Sequence, residues 1–198
     1  MLEPLFTSDL HLGHINIVDS CNRPYDSVEE MNEALIENWN RRVTDETDVY
    51  IMGDFSYRSH MHVGSYLDRM KGNKHLVIGN HDHKWMKNVS NLDRYFVSVS
   101  NMELINLGNK LITLCHYPMI EWNRSRYAKE QGNSSSWLIH GHIHNDREGM
   151  AYKFIKENLP CALNAGVDIN GYEPVTFDEL VINNNLWYER NELKVDGN

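Results

Sequence analysis

Five short apolar segments of this sequence are each followed at once by residues that can bind a metal ion. They are residues 5–8 before Asp9 and His11, 49–52 before Asp54, 75–78 before Asn80, His81 and Asp82, 111–115 before His116, and 137–139 before His140, His142 and His144. The segments are rich in β-branched and aromatic residues, which favours strands. Because the ligands of one site usually lie on loops at one edge of a sheet, we expect these residues to meet.

The spacing of the segments predicts how the strands run. The first, second, third and fifth segments are separated by stretches long enough for the crossover that parallel strands require. Residues 96–106 and 110–115 flank Leu107-Gly108-Asn109, a pattern typical of a β-hairpin. Both parallel and antiparallel strands are therefore expected.

The fifth segment ends in three histidines at alternate positions, 140, 142 and 144. Alternate residues of an extended chain point the same way, so all three are expected to face one side. Neutral imidazoles bind divalent transition metals, and Gly141 allows the backbone to bend. For this stretch alone, a solvated histidine-rich loop is the alternative.

Local patterns predict the remaining elements. A capping box at Ser27–Glu30 opens a helix that presents Val28, Met31, Leu35, Trp39 and Val43 on one face. A second helix is expected over residues 59–71 and a strand over residues 161–167. A capping box at residues 176–179 is expected, and then a terminal strand over residues 186–195 after the turn at Asn183, Asn184 and Asn185.

Taken in order, the polar residues that follow the strands resemble the signature of the calcineurin-like metallophosphoesterases. The matching motifs are Asp9-x-His11, Gly53-Asp54, Gly79-Asn80-His81-Asp82, His116 and Gly141-His142-x-His144. Residues 163–174, together with residues 177–180, further resemble the small stand-alone phosphoesterases of bacteria and phages. The resemblance implies a four-layer α/β/β/α sandwich of two mixed β-sheets flanked by helices. Residues 1–198 are expected to form a single domain of this kind.

The resemblance also implies two divalent ions held by seven side chains. One ion is assigned to Asp9, His11 and His144, the other to Asn80, His116 and His142, and the bridge between them to Asp54. These ligand types suit Mn, Fe, Zn, Co or Ni, and Mn is favoured for activity. Two divalent ions, two carboxylates and a bridging hydroxide leave a net charge of about +1, which attracts phosphate.

The implied chemistry is hydrolysis of a phosphate ester by in-line attack of that hydroxide. His81 is expected to stabilise the developing charge or protonate the leaving group, with Asp82 orienting its ring. His14, Arg23 and Arg58 are candidate phosphate contacts, and loop or surface contacts are their alternative.

Two aromatic residues, Tyr117 and Trp122, follow His116 in the sequence. Either can stack on a nucleobase, and packing in the core is the alternative. The expected substrate is thus a small phosphate ester, with a phosphodiester or nucleotide favoured over a monoester. A non-catalytic metal-binding interaction module and a nuclease acting on short nucleic-acid ends are the alternatives.

Composition and charge limit the classes of partner that we expect for this chain. The 198 residues carry a formal net charge of −9, so the basic footprint of a protein that grips long nucleic acid is missing. No apolar run approaches the length of about 18 residues needed for a membrane span, and the start lacks a signal-peptide pattern. Three cysteines without paired spacing predict no disulfide framework. We expect a cytoplasmic protein without membrane contact, and we leave its oligomeric state open.

Overall fold

The computed structural model describes residues 2–128 and 130–189. Within these residues the strands are β1 (Leu5–Thr7), β2 (Asp48–Ile51), β3 (Asn73–Val77), β4 (Phe96–Ser100), β5 (Met102–Leu107), β6 (Lys110–Cys115), β7 (Ser136–His140) and β8 (Ala162–Asn164). The helices are α1 (Ile17–Ser20), α2 (Val28–Arg42), α3 (Gly64–Leu67), α4 (Asp82–Met86), α5 (Met150–Asn158) and α6 (Phe177–Glu189). Short 3-10 turns lie at Leu92–Arg94, Ser125–Tyr127, Gln131–Asn133 and Val167–Ile169.

The strands form two four-stranded sheets, which confirms the predicted α/β fold with two sheets flanked by helices. The first sheet has the order β1-β2-β3-β4 and the second the order β5-β6-β7-β8. Only the second sheet is mixed, because β5 and β6 form an antiparallel hairpin around Gly108 and Asn109 while β6, β7 and β8 are parallel. The expectation of two mixed sheets is wrong for the first, whose four strands are all parallel.

Side chains of the first sheet alternate between its two faces and contribute to two hydrophobic layers. Leu5, Val49 and Ile51 pack in one cluster with the buried face of α2, whereas Phe6 and Met52 pack in the other with residues of the second sheet. Successive side chains of a strand point to opposite faces, so each short strand supplies both layers. The sheets therefore lie face to face, with helices on their outer sides.

Helix α2 begins where the capping pattern predicts. The hydroxyl of Ser27 accepts a hydrogen bond from the Glu30 amide at 3.1 Å, and the Glu30 carboxylate accepts one from the Asp26 amide at 2.8 Å. Met31 and Trp39 are fully buried on the face that packs against the first sheet. Capping and the apolar stripe together confirm this helix.

The terminal strand expected over residues 186–195 is wrong where the structure describes it, because residues 186–189 belong to α6; residues 190–198 lie outside the described part. The Asn183-Asn184-Asn185 stretch is helical and not a turn. Asn184 is fully buried, accepts a hydrogen bond from the Asn164 amide at 2.8 Å and donates to the Asn164 carbonyl at 3.0 Å. Tertiary hydrogen bonds to β8 thus stabilise a helix that the local sequence disfavours.

Two other elements are shorter than expected. The helix expected over residues 59–71 contracts to the single turn α3, and the Ser59 hydroxyl accepts from the Met61 amide at 3.1 Å, a local bond that competes with helix formation. The strand expected over residues 161–167 ends at Asn164, beyond which the chain enters a 3-10 turn. The expected capping box of α6 is present, since Thr176 and Glu179 exchange hydrogen bonds.

No helix formed by residues 2–128 and 130–189 combines the length and the apolar character that crossing a membrane requires.

Removal of the Ser27 hydroxyl tests the capping of α2. We expect Ser27→Ala to lower the free energy of unfolding by about 1 kcal/mol, because the Glu30 amide loses its acceptor. Urea unfolding followed by circular dichroism measures the change. Ser90→Ala, at an exposed serine outside the helices, is the control. Equal unfolding midpoints for the two variants would contradict the assignment.

Candidate metal centre

All seven predicted metal ligands lie on loops that follow parallel strands. Asp9 and His11 follow β1, Asp54 follows β2, Asn80 follows β3, His116 follows β6, and His142 and His144 follow β7. Parallel strands bring their carboxyl ends to the same edge of a sheet. Because the two sheets pack face to face, five loops from distant parts of the chain meet at one place.

One carboxylate oxygen of Asp54 is the meeting point of the predicted ligands. Its Oδ2 atom lies 3.5 Å from His11 Nε2 and 3.6 Å from His116 Nε2. The other oxygen, Oδ1, accepts a hydrogen bond from the His81 amide at 2.8 Å. A single oxygen of Asp54 therefore faces both imidazoles.

These separations fit ligands that share an ion. Two atoms that each lie about 2.1 Å from one ion at a tetrahedral angle are about 3.4 Å apart. In addition, His11 Nε2 is buried without a hydrogen-bond partner, which is costly unless another group occupies that position. The residues present therefore fit a divalent metal ion.

A second group of donor atoms lies on the Asp9 side of the site. Ligand atoms of Asp9, His11 and His144 all lie within 4.8 Å of one another, and those of Asp9, Asp54 and His116 do so as well. His144 Nε2 is 3.9 Å from Asp9 Oδ1, and the ring centroids of His11 and His144 are 5.0 Å apart. The predicted division into two triplets around Asp54 is compatible with this arrangement.

Hydrogen bonds at the far nitrogens orient two of the imidazoles. His116 Nδ1 lies 2.7 Å from the Met52 carbonyl, and His144 Nδ1 lies 2.9 Å from Asp168 Oδ2. A carbonyl or carboxylate partner requires a proton on Nδ1, which leaves the Nε2 lone pair for a metal. His116 Nε2 also lies 2.9 Å from Asn80 Oδ1, so these two predicted ligands of one ion are adjacent.

The electrostatics of the site keep Asp54 ionised. Burial raises the pKa of Asp54, but the nearby His11 and His116 imidazoles and the hydrogen bond from the His81 amide together outweigh burial and lower the pKa to about 2. The pKa of His14 is lowered to about 4 by burial and by the neighbouring His11 and His81. At neutral pH the site therefore combines an anionic Asp54 with a neutral His14.

His81 lies beside the site, and Asp82 does not act on its ring as expected. His81 Nε2 is 3.9 Å from Asp54 Oδ2, and its side chain is 30% exposed. Asp82 is fully buried and accepts hydrogen bonds from the amides of Gly79, Asp54 and Phe55 and from Trp85 Nε1, at 2.7–2.9 Å. Its carboxylate joins the loops after β2 and β3, so the predicted role in orienting His81 is wrong.

Three of the predicted substrate-contact residues, His14, Arg58 and Tyr117, lie near the imidazoles of the site. His14 Nδ1 is 3.2 Å from His11 Nδ1, and Tyr117 packs edge-on against His142 with 4.8 Å between ring centroids. Tyr57, which sequence reasoning missed, packs between His14 and His81, and the Arg58 guanidinium lies over the Tyr57 ring. Its place three residues after Asp54 in the same loop was the available signal.

Three residues that were candidates for the site, Arg23, Trp122 and His140, lie away from the cleft, and for Arg23 and Trp122 the alternatives of a loop contact and core packing apply. Arg23 is buried in an ion pair with Asp168, so it supports the loops and does not reach the cleft. Trp122 is buried in the core, where its Nε1 donates to Ser136 Oγ at 3.1 Å. His140 ends β7 in the interior and does not share a face with His142 and His144, because the strand stops there and both later histidines adopt positive φ.

An open cleft of about 730 Å3 lies over the site. Five imidazoles line it, together with Asn22, Arg147 and Tyr152 on other parts of its wall; the imidazoles are His11, His14, His81, His142 and His144. Arg147 and the buried Asp168 were not identified from the sequence. Each follows a strand-associated motif closely, Arg147 by three residues from His144 and Asp168 by four from the end of β8.

Close approach of the main chain fixes the positions of the carboxylates. A Cβ atom at Gly141 would lie 2.5 Å from Asp9 Oδ2 and even closer to Ser8 Oγ, and one at Gly79 would lie 2.5 Å from the Asp54 amide. Real Cβ atoms do not approach other atoms so closely. Glycine at these positions allows the ligand loops to touch.

Comparisons with known proteins agree with this geometry. Residues 3–166 match the family model of the calcineurin-like phosphoesterase superfamily domain. The chain is 32% identical over 176 residues to an uncharacterised protein of Methanocaldococcus jannaschii, covering 88% of this chain and 86% of that protein. It is 30% identical over 159 residues to the Gene 66 protein of Mycobacterium phage L5, covering 71% of this chain and 76% of the phage protein.

A solved structure supports the fold. The crystal structure of a protein of unknown function from Aquifex aeolicus is similar with a TM-score of 0.66 and 28% identity, covering 89% of this chain and 96% of that one.

A methyl group at Gly141 tests the packing around Asp9. We expect Gly141→Ala to weaken Mn2+ binding by about 10–100-fold, because the new Cβ displaces the Asp9 carboxylate. Isothermal titration calorimetry on the purified protein measures the affinity. The matched control is Gly132→Ala, where an added Cβ meets no atom within 4 Å. Equal affinity in both variants would refute the proposed role of this contact.

Proposed function

Since the chain belongs to the calcineurin-like phosphoesterase superfamily, we propose that it is a metal-dependent hydrolase of small phosphate esters, with phosphodiesters or nucleotides preferred. The observation that supports this most is the surrounding of Asp54 Oδ2 by the Nε2 atoms of His11, His116 and His81 at 3.5–3.9 Å. An anionic oxygen among three imidazoles suits a site for cations.

The proposal assigns two divalent ions to the residues around Asp54. Asp9, His11 and His144 would hold the first, and Asn80, His116 and His142 would hold the second. Ions bound there would lower the pKa of a bound water and polarise the phosphoryl oxygens, so that attack occurs in line with the leaving group. Manganese is the proposed activating ion, and the nitrogen and oxygen ligands without thiolate also suit Fe, Zn, Co or Ni.

His81 is the proposed hydrogen-bond donor to the reacting phosphate. Burial and neighbouring imidazoles lower the pKa of His81, although Asp54 opposes the change, so the ring is chiefly neutral at pH 7. A neutral imidazole still has one N–H group. From its partly exposed position beside Asp54 that group can donate to a phosphoryl or leaving-group oxygen.

The cleft supports a substrate of nucleotide size. Its volume of about 730 Å3 falls within the range usual for small-molecule sites. Tyr117 is 46% exposed beside His142, which leaves a ring face available for stacking on a base. His14, which lines the cleft, and Arg58 both contact the Tyr57 ring and are the proposed phosphate contacts. The cytoplasmic location stays a prediction.

Substitutions at Asp54 and His81 separate metal binding from catalysis. In a Mn2+-supplemented assay with bis(p-nitrophenyl) phosphate, we expect Asp54→Asn to lose Mn2+ binding and activity together. His81→Ala should keep bound Mn2+ but lower kcat by about 10²–10⁴-fold, the usual contribution of a positioned proton-transfer group. His60→Ala, at an exposed histidine, is the control.

Full activity in Asp54→Asn would exclude the proposed reaction. A metal-loaded wild-type protein inert towards diesters and monoesters would instead favour the non-catalytic interaction module. Cleavage confined to oligonucleotide ends would favour the nuclease.

Tyr117 tests the preference for a nucleoside-bearing diester. Thymidine 5′-p-nitrophenyl phosphate and methyl p-nitrophenyl phosphate share a leaving group and differ in the presence of a base. For Tyr117→Ala we expect kcat/KM to fall by about 5–150-fold for the thymidine ester only, the equivalent of about 1–3 kcal/mol of stacking. Tyr127→Ala, at another exposed tyrosine, is the control. A parallel fall for both esters would exclude base stacking on Tyr117.

A further inference from the structure

We propose that Asp168, paired with Arg23, is a positioning residue that holds His144 and Asp9 in place as ligands, and that it acts on only one of the two metal positions. The inference rests on the proposed function, because it concerns the same site. It assigns a task to a buried ion pair that the proposed reaction itself does not use.

The carboxylate of Asp168 contacts two residues, Arg23 and His144. Its Oδ1 accepts from Arg23 Nε at 2.8 Å, and its Oδ2 accepts from Arg23 Nη2 at 3.2 Å and lies 2.9 Å from His144 Nδ1. Three donors therefore share the two oxygens of one carboxylate. A carboxylate behind a ligating histidine fixes the ring orientation and the Nδ1–H tautomer.

Arg23 also stabilises the main chain at Asp9. Its Nη2 donates to the Asp9 carbonyl at 2.7 Å, and its Nη1 donates to the Leu10 carbonyl at 2.8 Å. Asp9 has a positive φ of 57°, a conformation that costs free energy for a residue other than glycine. The guanidinium thus holds the strained main chain that aims the Asp9 carboxylate.

Burial makes this pair sensitive to loss of charge. The side chains of Arg23 and Asp168 both have 0% relative exposure. Removal of one member leaves an uncompensated buried charge. The pair also joins distant parts of the chain, since Arg23 precedes α2 and Asp168 follows β8.

The residues assigned to the second ion are held in place by different contacts. His116 is oriented by a neutral group, the Met52 carbonyl, and it lies beside Asn80. Within the described residues, the side-chain hydrogen bonds of Arg23 and Asp168 reach each other, His144, Asp9, Leu10 and Met31, but neither His116 nor Asn80. A change at Asp168 should therefore affect the Asp9, His11 and His144 position selectively.

Asp168→Asn tests the proposal with little change in size. The amide offers one acceptor oxygen where three donors converge, so either His144 or Arg23 meets an NH2 group. In Mn2+ calorimetry of the full chain we expect two binding events for the wild type. In Asp168→Asn one event should weaken by about 10–100-fold and the other keep its affinity.

Glu173→Gln is the matched control, because Glu173 pairs with Arg41 and Arg42 away from the cleft. Unchanged affinities in Asp168→Asn would overturn the proposal. Equal weakening of both events, with a metal-free Tm below that of Glu173→Gln, would overturn it in favour of a merely structural role.

The tautomer of His144 gives a readout that needs no folded Asp168 variant. In 15N spectra of the Zn2+-loaded wild type, the signal missing from His144→Gln should show a protonated Nδ1. A protonated Nε2 would refute the proposal. A wild type that binds no metal would end the proposed function itself, whereas two-ion binding without hydrolysis would end only the reaction and leave the role of Asp168 intact.

Discussion

Direct contact between the main chains of neighbouring loops is the constraint on which the site depends. The Asp9 amide donates to the Gly53 carbonyl at 3.0 Å, and the Gly141 amide donates to the His116 carbonyl at 2.9 Å. Such contacts require strands whose carboxyl ends lie side by side and glycines where a Cβ atom would collide. The predicted ligand atoms lie close together because the main chains of their loops are already in contact. The side chains need to span only a few ångströms.

This arrangement stores backbone strain in the predicted metal ligands themselves. Five of the seven predicted ligands have positive φ values between 49° and 72°; they are Asp9, His11, Asp54, His142 and His144. Each such residue costs about 1–3 kcal/mol relative to a relaxed conformation. The cost is offset by the two hydrophobic layers and by buried hubs such as Asp82, whose carboxylate binds three amides of two loops. Rigid packing on both sides of the sheets thus holds the loops in a conformation that they would not adopt alone.

The sequence predicted the strands and the ligand loops well, because an apolar strand followed by a polar residue is a local pattern with a fixed spatial consequence in parallel sheets. It failed where the outcome depends on tertiary contacts. Asn184 reads as a turn residue, yet its buried hydrogen bonds to Asn164 make it part of α6. His140 belongs to the same motif as His142, but the strand ends at residue 140 and sends the two rings to different environments.

The roles of individual polar residues were predicted less well for the same reason. A sequence shows that Arg23 and Asp82 carry charge but not which side of a loop they face. In the structure both side chains point inwards. Arg23 pairs with Asp168 and donates to the Asp9 carbonyl, and Asp82 accepts from the amides of Asp54 and Phe55 in the loop after β2. Pairing across the chain is a property of the folded loops, so no local pattern near either residue could have revealed it.

The net charge of the whole chain and the groups that line the cleft would affect the binding of a phosphate compound differently. A formal charge of −9 disfavours a long polyanion, which must lie across much of the surface. Within the cleft the lining is different, because Asp146 is the one carboxylate among the described lining residues, and the five imidazoles offer N–H donors even when they are neutral. Screening over about 8 Å at physiological salt limits how far the outer charges act. A small phosphate ester of the proposed kind would therefore meet chiefly the local groups, so an acidic net charge is compatible with the proposed small anionic substrate.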